Sequence, residues 1–278
     1  MIIFDNHLHL RRDGRFLDAV KDFKHAGGTH FILCQYPMVD QVIREKTYTQ
    51  VFQQTIDMAE EIQKQIDVTV FTTVGPYPVD YLRLKNVFST EEAMDLMKQG
   101  METAAWFCQE HENCIGIGEI GRPHFTVDEQ IMKESNEILS FGMKQAKAIG
   151  VPVILHTETT TPDQCQELAK MGKKVGLPAD QIIKHFSPPL IHLDENFGLM
   201  PSVLASKKNI RKAAKKGTRF LMETDYIDDP KRPGAVLGPK TVPRRTFELL
   251  DQHMLSKEDL AVIHQKNPEK TYHITLNE

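Results

Sequence analysis

Two histidines, His7 and His9, stand two apart at the end of an apolar run in the segment Asp5-Asn6-His7-Leu8-His9. Alternate residues of an extended strand face the same side, so both imidazoles point one way and come close enough to share a cation. Histidines packed in a core and bonded to backbone would explain the pair equally well, so the rest of the chain must decide. Four more residues occur where an apolar run gives way to a polar turn: Glu119 after 115–118, His156 after 153–155, His185 after 182–184 and Asp225 after 220–224. Each alone could be a helix-start carboxylate, a core histidine or a strand-terminal cap. Together they place four histidines and two carboxylates at five strand ends, and side chains at the C-terminal ends of barrel strands converge on one site. The chemistry of such a set is metal-assisted hydrolysis, in which cations acidify a water and clamp the attacked oxygen.

Converging strand ends require an architecture that repeats strand and helix. Short β-branched runs followed by longer amphipathic stretches recur in about eight units, the pattern of a parallel sheet with helical crossovers. The predicted strands are 2–9, 29–35, 68–74, 114–119, 151–156, 181–185, 198–205 and 219–225. Long helices are predicted over 47–66, from a capped start at Ser89-Thr90-Glu91-Glu92 to 110, and over 127–149; shorter ones are predicted over 168–175 and 209–216. Only about eleven residues follow His185 before the next strand, too few for a full helix with its loops, which predicts a reduced sixth helix. Gly100, Gly150, Gly176 and Gly217 stand between helical and extended stretches, as helix-stop glycines do. The expectation is an α/β fold, a (β/α)8 TIM barrel, with residues 1–278 forming one domain and no repeat or linker dividing them.

Composition fits that reading. The 278 residues, 40% hydrophobic and 26% charged, suit a globular protein, and no apolar run reaches the length that spans a bilayer. The start Met1-Ile2-Ile3-Phe4-Asp5 lacks the basic and apolar regions of a signal peptide, and Cys34, Cys108, Cys114 and Cys165 form no CxxC pair. The expectation is a cytoplasmic protein with reduced thiols that serve as core filler and with no membrane partner. A net charge of −4 argues against recognition of nucleic acid by the field of the whole chain.

The order HxH, then Gly118-Glu119-Ile120-Gly121, then His156 and His185, then Glu223-Thr224-Asp225 resembles the TatD-related hydrolases of the amidohydrolase superfamily over nearly the whole chain. The resemblance implies one metal on His7, His9, Glu119 and Asp225, and a second on Glu119, His156 and His185. It implies a bridging glutamate where some relatives use a carbamylated lysine; Lys184 stands beside His185, but strand alternation should turn it away and out of the barrel. It also implies Asp225 as the base that takes the proton of the attacking water, with Glu119 holding the metals. The chain departs from the family after Gly121, where Arg122-Pro123-His124 replaces the usual leucine and aspartate.

Arg122 or His124 could neutralise charge on a substrate oxygen. Glu158, just past His156, is read as a helix-start carboxylate. The segment from Tyr226 to Lys240, with Arg244 and Arg245 close behind, reads either as a loop over the site whose basic residues meet phosphate oxygens or as an ordinary solvated loop. The lysines of 207–216, at helical spacing with Ile210, Ala213 and Ala214 between them, read as a solvated face. The substrate class the resemblance implies is a phosphoester, either a small molecule or a nucleic-acid end. The same ligands also serve amide or lactone hydrolysis, and a barrel without turnover would be a metal-dependent binding protein. His and carboxylate ligands suit Zn²⁺ first, then Mn²⁺, Co²⁺, Ni²⁺, Fe²⁺ or Mg²⁺. The sequence leaves no readable sign of oligomeric state.

Overall fold

A computed structural model describes residues 1–277. Its centre is one parallel sheet of nine strands: β1 (Phe4–His9), β2 (His30–Cys34), β3 (Thr69–Val74), β4 (Cys114–Gly121), β5 (Val153–His156), β6 (Ile182–Ser187), β7 (Met200–Leu204), β8 (Leu221–Glu223) and β9 (Tyr226–Ile227). Their order is β8-β7-β6-β5-β4-β3-β2-β1-β9, so neighbours in sequence are neighbours in space and the sheet curls on itself. Closure falls between β8 and β1. The Asp225 amide donates to the His7 carbonyl at 2.9 Å, and β9 pairs with the far end of β1. The Asp5 carboxylate completes the seam by accepting from the Thr224 amide at 2.9 Å and the Thr224 hydroxyl at 2.6 Å.

Around the barrel run α1 (Leu17–His25), α2 (Val39–Glu45), α3 (Thr49–Gln65), α4 (Asp80–Lys85), α5 (Thr90–Glu110), α6 (Glu129–Ile149), α7 (Pro162–Val175), α8 (Leu193–Asn196), α9 (Lys207–Lys216), α10 (Thr241–Asp251), α11 (Lys257–Ala261) and α12 (Asn267–Tyr272). The sixth helix, α8, is four residues long, as its short connection predicts. The cap at Ser89 forms with Glu92 as a reciprocal box. Helix α7 begins six residues before the predicted start because Thr161 and Gln164 form a second such box. The end of the 219–225 run breaks after Glu223, and its continuation moves over to β1 as β9. Helix α9 buries Ile210 and Ala213 and exposes Lys207, Lys208, Lys212 and Lys215, the solvated face that the spacing predicts. No helix among the described residues is long and apolar enough to cross a membrane.

Inside the barrel, strands β1 to β8 all contribute to a buried plug: Phe4, Ile32 with Cys34, Phe71, Ile115, Ile154, Ile183, Met200 and Leu221. Tyr272 and Leu276 cover its base. The plug fills the lower barrel and leaves polar side chains to the C-terminal mouth. At the mouth, Gly121 sits at φ 151°, and a Cβ there would lie 1.9 Å from the His156 carbonyl oxygen, so only glycine lets β4 and β5 end this close together.

One buried histidine ties the outer layer to the first strand. His264 Nδ1 lies 3.1 Å from the Phe4 amide, and Nε2 lies 2.8 Å from Thr246 Oγ1, whose hydroxyl donates to the Val242 carbonyl. This arrangement uses the neutral ring, and burial pushes its pKa down to about 4. In the unfolded chain a histidine titrates near 6.5, so below that pH the unfolded state takes a proton the folded state refuses. The contribution is present above pH 6.5 and is lost progressively down to about pH 4. Urea titrations at pH 7 and pH 4 should show the native chain losing up to about 3 kcal/mol more than His264→Gln over this window, and parallel losses would refute the assignment.

Candidate metal centre

His7 and His9 project from β1 into the barrel mouth with their Nε2 atoms 3.1 Å apart. Their other nitrogens are held from β2. His9 Nδ1 lies 3.1 Å from the Cys34 carbonyl oxygen, and His7 Nδ1 lies 3.2 Å from Cys34 Sγ. Thr73 of β3 donates to the same sulfur at 3.3 Å. His9 Nδ1 donates to the Cys34 carbonyl, which leaves its Nε2 facing inward as an acceptor, and His7 turns its Nε2 the same way.

Glu119 enters from β4. Its Oε1 is 2.9 Å from His156 Nδ1, 3.2 Å from His185 Nε2 and 3.6 Å from His7 Nε2, while Oε2 is 3.5 Å from His9 Nε2. Asp225 follows β8 with a left-handed backbone at φ 47°, an uncommon conformation for a non-glycine residue and one that occurs at functional sites. Its Oδ1 lies 3.9 Å from both His7 Nε2 and His9 Nε2, and 4.0 Å from His185 Nε2. The ligand atoms of His7, His9 and Asp225 all lie within 4.8 Å of one another, and so do those of Glu119, His156 and His185. All six side chains singled out from the sequence thus meet in one place.

The donor set fits divalent cations on charge as well as distance. Asp5, Glu119, Glu223 and Asp225 are buried together, and the one buried lysine acting on them is Lys184. Burial pushes Asp5 up to about 7 and Glu223 up to about 8. Burial, then the charges of Glu223 and Glu119, holds Asp225 well above the usual carboxylate range. Burial also works against the Glu119 carboxylate, but the imidazoles around it, His156 first, outweigh that and hold it low. His7 and His185 are kept neutral chiefly by burial, the form in which imidazole binds metal. So many acceptors with so few positive charges is the balance a cation restores.

The residues expected at the substrate are not all gathered here. His124 is exposed at the mouth, with Nδ1 3.0 Å from His156 Nε2. Arg122 is 2% exposed, and its guanidinium is fully engaged. Glu158 takes two bonds from it at 3.0 and 2.6 Å, Glu167 of α7 takes two at 2.7 and 3.2 Å, and Asn136 of α6 accepts at 3.1 Å. Its backbone amide donates to the His156 carbonyl at 3.1 Å. Arg122 is therefore a clamp on the loop that follows His156, with no donor left for substrate. Glu158 is correspondingly its ion-pair partner and not a helix start, since α7 begins at Pro162. Lys240 pairs with Asp22 at 3.1 Å, Arg245 with Glu248, and Arg232 with Asp229 at 3.1 Å, so these three are spent on local acids, whereas Lys231 and Arg244 are exposed with no ion-pair partner among the described residues. Lys184 is buried, with its ammonium donating to the His185 carbonyl and held down to about 8 by burial.

Cys34, Tyr77 and Glu223 have supporting roles that the sequence reading did not assign. Glu223 Oε1 lies 3.0 Å from His185 Nδ1, accepts from the Phe186 amide at 2.7 Å, and the other oxygen accepts from Ser202. Tyr77, three residues past β3, reaches His156 Nε2 at 3.2 Å. Strand alternation could have pointed to Glu223, two before Asp225; a cysteine at a strand end and a tyrosine in a loop carry no comparable signal.

Residues 4–273 match the family model described as TatD related DNase. An uncharacterized protein of Methanocaldococcus jannaschii is 38% identical over 276 residues, covering 99% of this chain and 96% of that protein. A TatD homologue of Escherichia coli shares the fold at a TM-score of 0.66 and 19% identity, with 98% of each chain covered. A lactonase of Listeria monocytogenes is equally similar in structure, at a TM-score of 0.66, 13% identity, and coverage of 99% of this chain and 95% of that one.

If Cys34 orients His7, removing its sulfur should weaken metal binding without unfolding the barrel. Competition against a chromogenic chelator should show Cys34→Ala holding Zn²⁺ about tenfold less tightly than the native chain, and equal affinity would rule the role out.

Proposed function

Because the chain belongs to the TatD-related DNase family of hydrolases, we propose that it hydrolyses phosphoester bonds with one or two divalent cations held by His7, His9, Glu119, His156, His185 and Asp225. Zinc is the first choice for those positions on donor type. The observation that carries the reading is the facing arrangement of acceptor atoms: the Nε2 atoms of His7 and His9 stand 3.1 Å apart, with Glu119 and Asp225 oxygens opposite them. Neutral nitrogens and carboxylates turned toward one another with too few protons to share are ligands in search of a cation. When bound, the cations supply Lewis acidity toward water and toward a phosphoryl oxygen.

The protein groups divide the remaining work. Glu119 has nitrogens on both sides of its carboxylate, so it can serve two positions at once. Asp225 Oδ1 accepts the proton of the attacking water, a role that suits a carboxylate at the last strand end facing three imidazoles. Cys34 and Glu223 stand behind the rings, and Arg122 fixes the loop that follows His156. His124, exposed beside His156, is the side chain placed to donate toward a substrate oxygen. The family description supports a phosphodiester of DNA, and a nucleic-acid end or a small phosphoester uses the same groups. The cytoplasmic setting expected from the sequence is part of the same proposal.

With metal restored to the purified protein, Asp225→Asn should lower kcat on phosphodiester and phosphomonoester substrates at least about a thousandfold while elemental analysis still finds bound metal. Native-level turnover by the variant would remove Asp225 from the mechanism, and native turnover of lactones or amides alone would move the enzyme to acyl chemistry.

A further inference from the structure

Beside the metal centre, the chain following β1 and β2 forms a pocket of about 600 Å³ with α2, α3 and α4. Tyr36 is the wall between the two. Its ring meets the His9 ring edge-on with centroids 6.3 Å apart, and it also lines the pocket. The pocket therefore lies beside the ligand histidines, with Tyr36 between them. Leu10, Val51 and Met58 give it a buried apolar floor.

The rim carries four arginines, Arg11, Arg12, Arg44 and Arg83, against two acids, Asp13 and Asp40. Arg11 holds Asp13 by two bonds of 2.8 and 2.7 Å, and Arg83 holds Asp40 at 2.8 Å. Arg12 turns to Glu61 of α3. Arg44 is exposed and, among the described residues, has no ion-pair partner. An apolar floor, one aromatic wall and one unspent guanidinium are the features of a site for an organic anion. The pocket has the volume of a small-molecule site, not the running basic groove that a polymer backbone needs.

We propose that this pocket takes the far end of a small substrate: a planar apolar body laid on Leu10, Val51, Met58 and Tyr36, bearing a second anionic group that meets Arg44. The phosphoester of the same molecule lies at the metal centre, so the proposal rests on the phosphoester reading and narrows it to small molecules that carry a second, separate anionic group. Arg44 then sets specificity at a distance from the reacting bond.

The test compares 4-carboxyphenyl phosphate with phenyl phosphate as substrates of the metal-loaded native chain, Arg44→Ala and Arg44→Glu. The ratio of their kcat/KM values should fall by about threefold to tenfold in Arg44→Ala and further in Arg44→Glu, with the loss shrinking as salt is raised. An unchanged ratio in both variants would overturn the proposal. So would an oligonucleotide whose affinity rises with length and falls in Arg44→Glu while that ratio stays fixed. If no phosphoester is cleaved, the phosphoester reading has failed, and calorimetric binding of the two aryl phosphates to the same three proteins still decides the pocket: a preference for the carboxylated compound that Arg44→Glu removes supports it, and equal binding overturns it.

Discussion

Burying a carboxylate costs several kcal/mol unless charges or donors replace the water it loses, and Glu119 is 4% exposed at the centre of a barrel. Its oxygens are met by four imidazoles from three strands, within 2.9 to 3.6 Å. Three of these rings, those of His7, His9 and His185, are themselves buried, which favours their neutral form, and three further buried carboxyls crowd the same space. Neither the histidines nor the acids can satisfy the others alone. The crowding is stable when positive charge enters from outside the chain, which makes the barrel mouth a site for cations.

The surrounding structure holds the crowded groups in place. Asp5 bonds Thr224 across the seam where the barrel closes, so the last strand, and with it Asp225, is fixed against the strand carrying His7 and His9. Cys34 bears on both of those histidines from the neighbouring strand, and Glu223 does the same for His185. Arg122 uses its whole guanidinium to secure the segment beyond His156 to two helices. Ligands backed in this way lose little freedom on binding, which is the usual condition for tight metal sites.

Much of this was legible in the amino-acid order, because barrel strands carry their chemistry at one end and the apolar runs mark that end. His7, His9, Glu119, His156, His185 and Asp225 were readable as strand-terminal residues, and the short stretch after His185 announced the four-residue helix. The division of labour among charged residues was not. Arg122 reads from sequence as a cation beside the bridging glutamate, but its partners, Glu158, Glu167 and Asn136, come from 14 to 45 positions away. Glu158 reads as a helix-start acid because Thr161 and its box with Gln164 lie three residues further on. Cys34 looked like core filler since nothing in its own strand says that two histidines of the neighbouring strand lean on it.

The measurement that bears most directly on this account is a calorimetric titration of chelator-stripped protein with Zn²⁺ or Mn²⁺, with elemental analysis of the product. Two equivalents should bind to the native chain, its melting temperature should rise as they do, and Glu119→Gln should lose tight binding at both positions. Less than one equivalent, with no change in melting temperature, would mean that the buried acids and imidazoles balance one another without a cation.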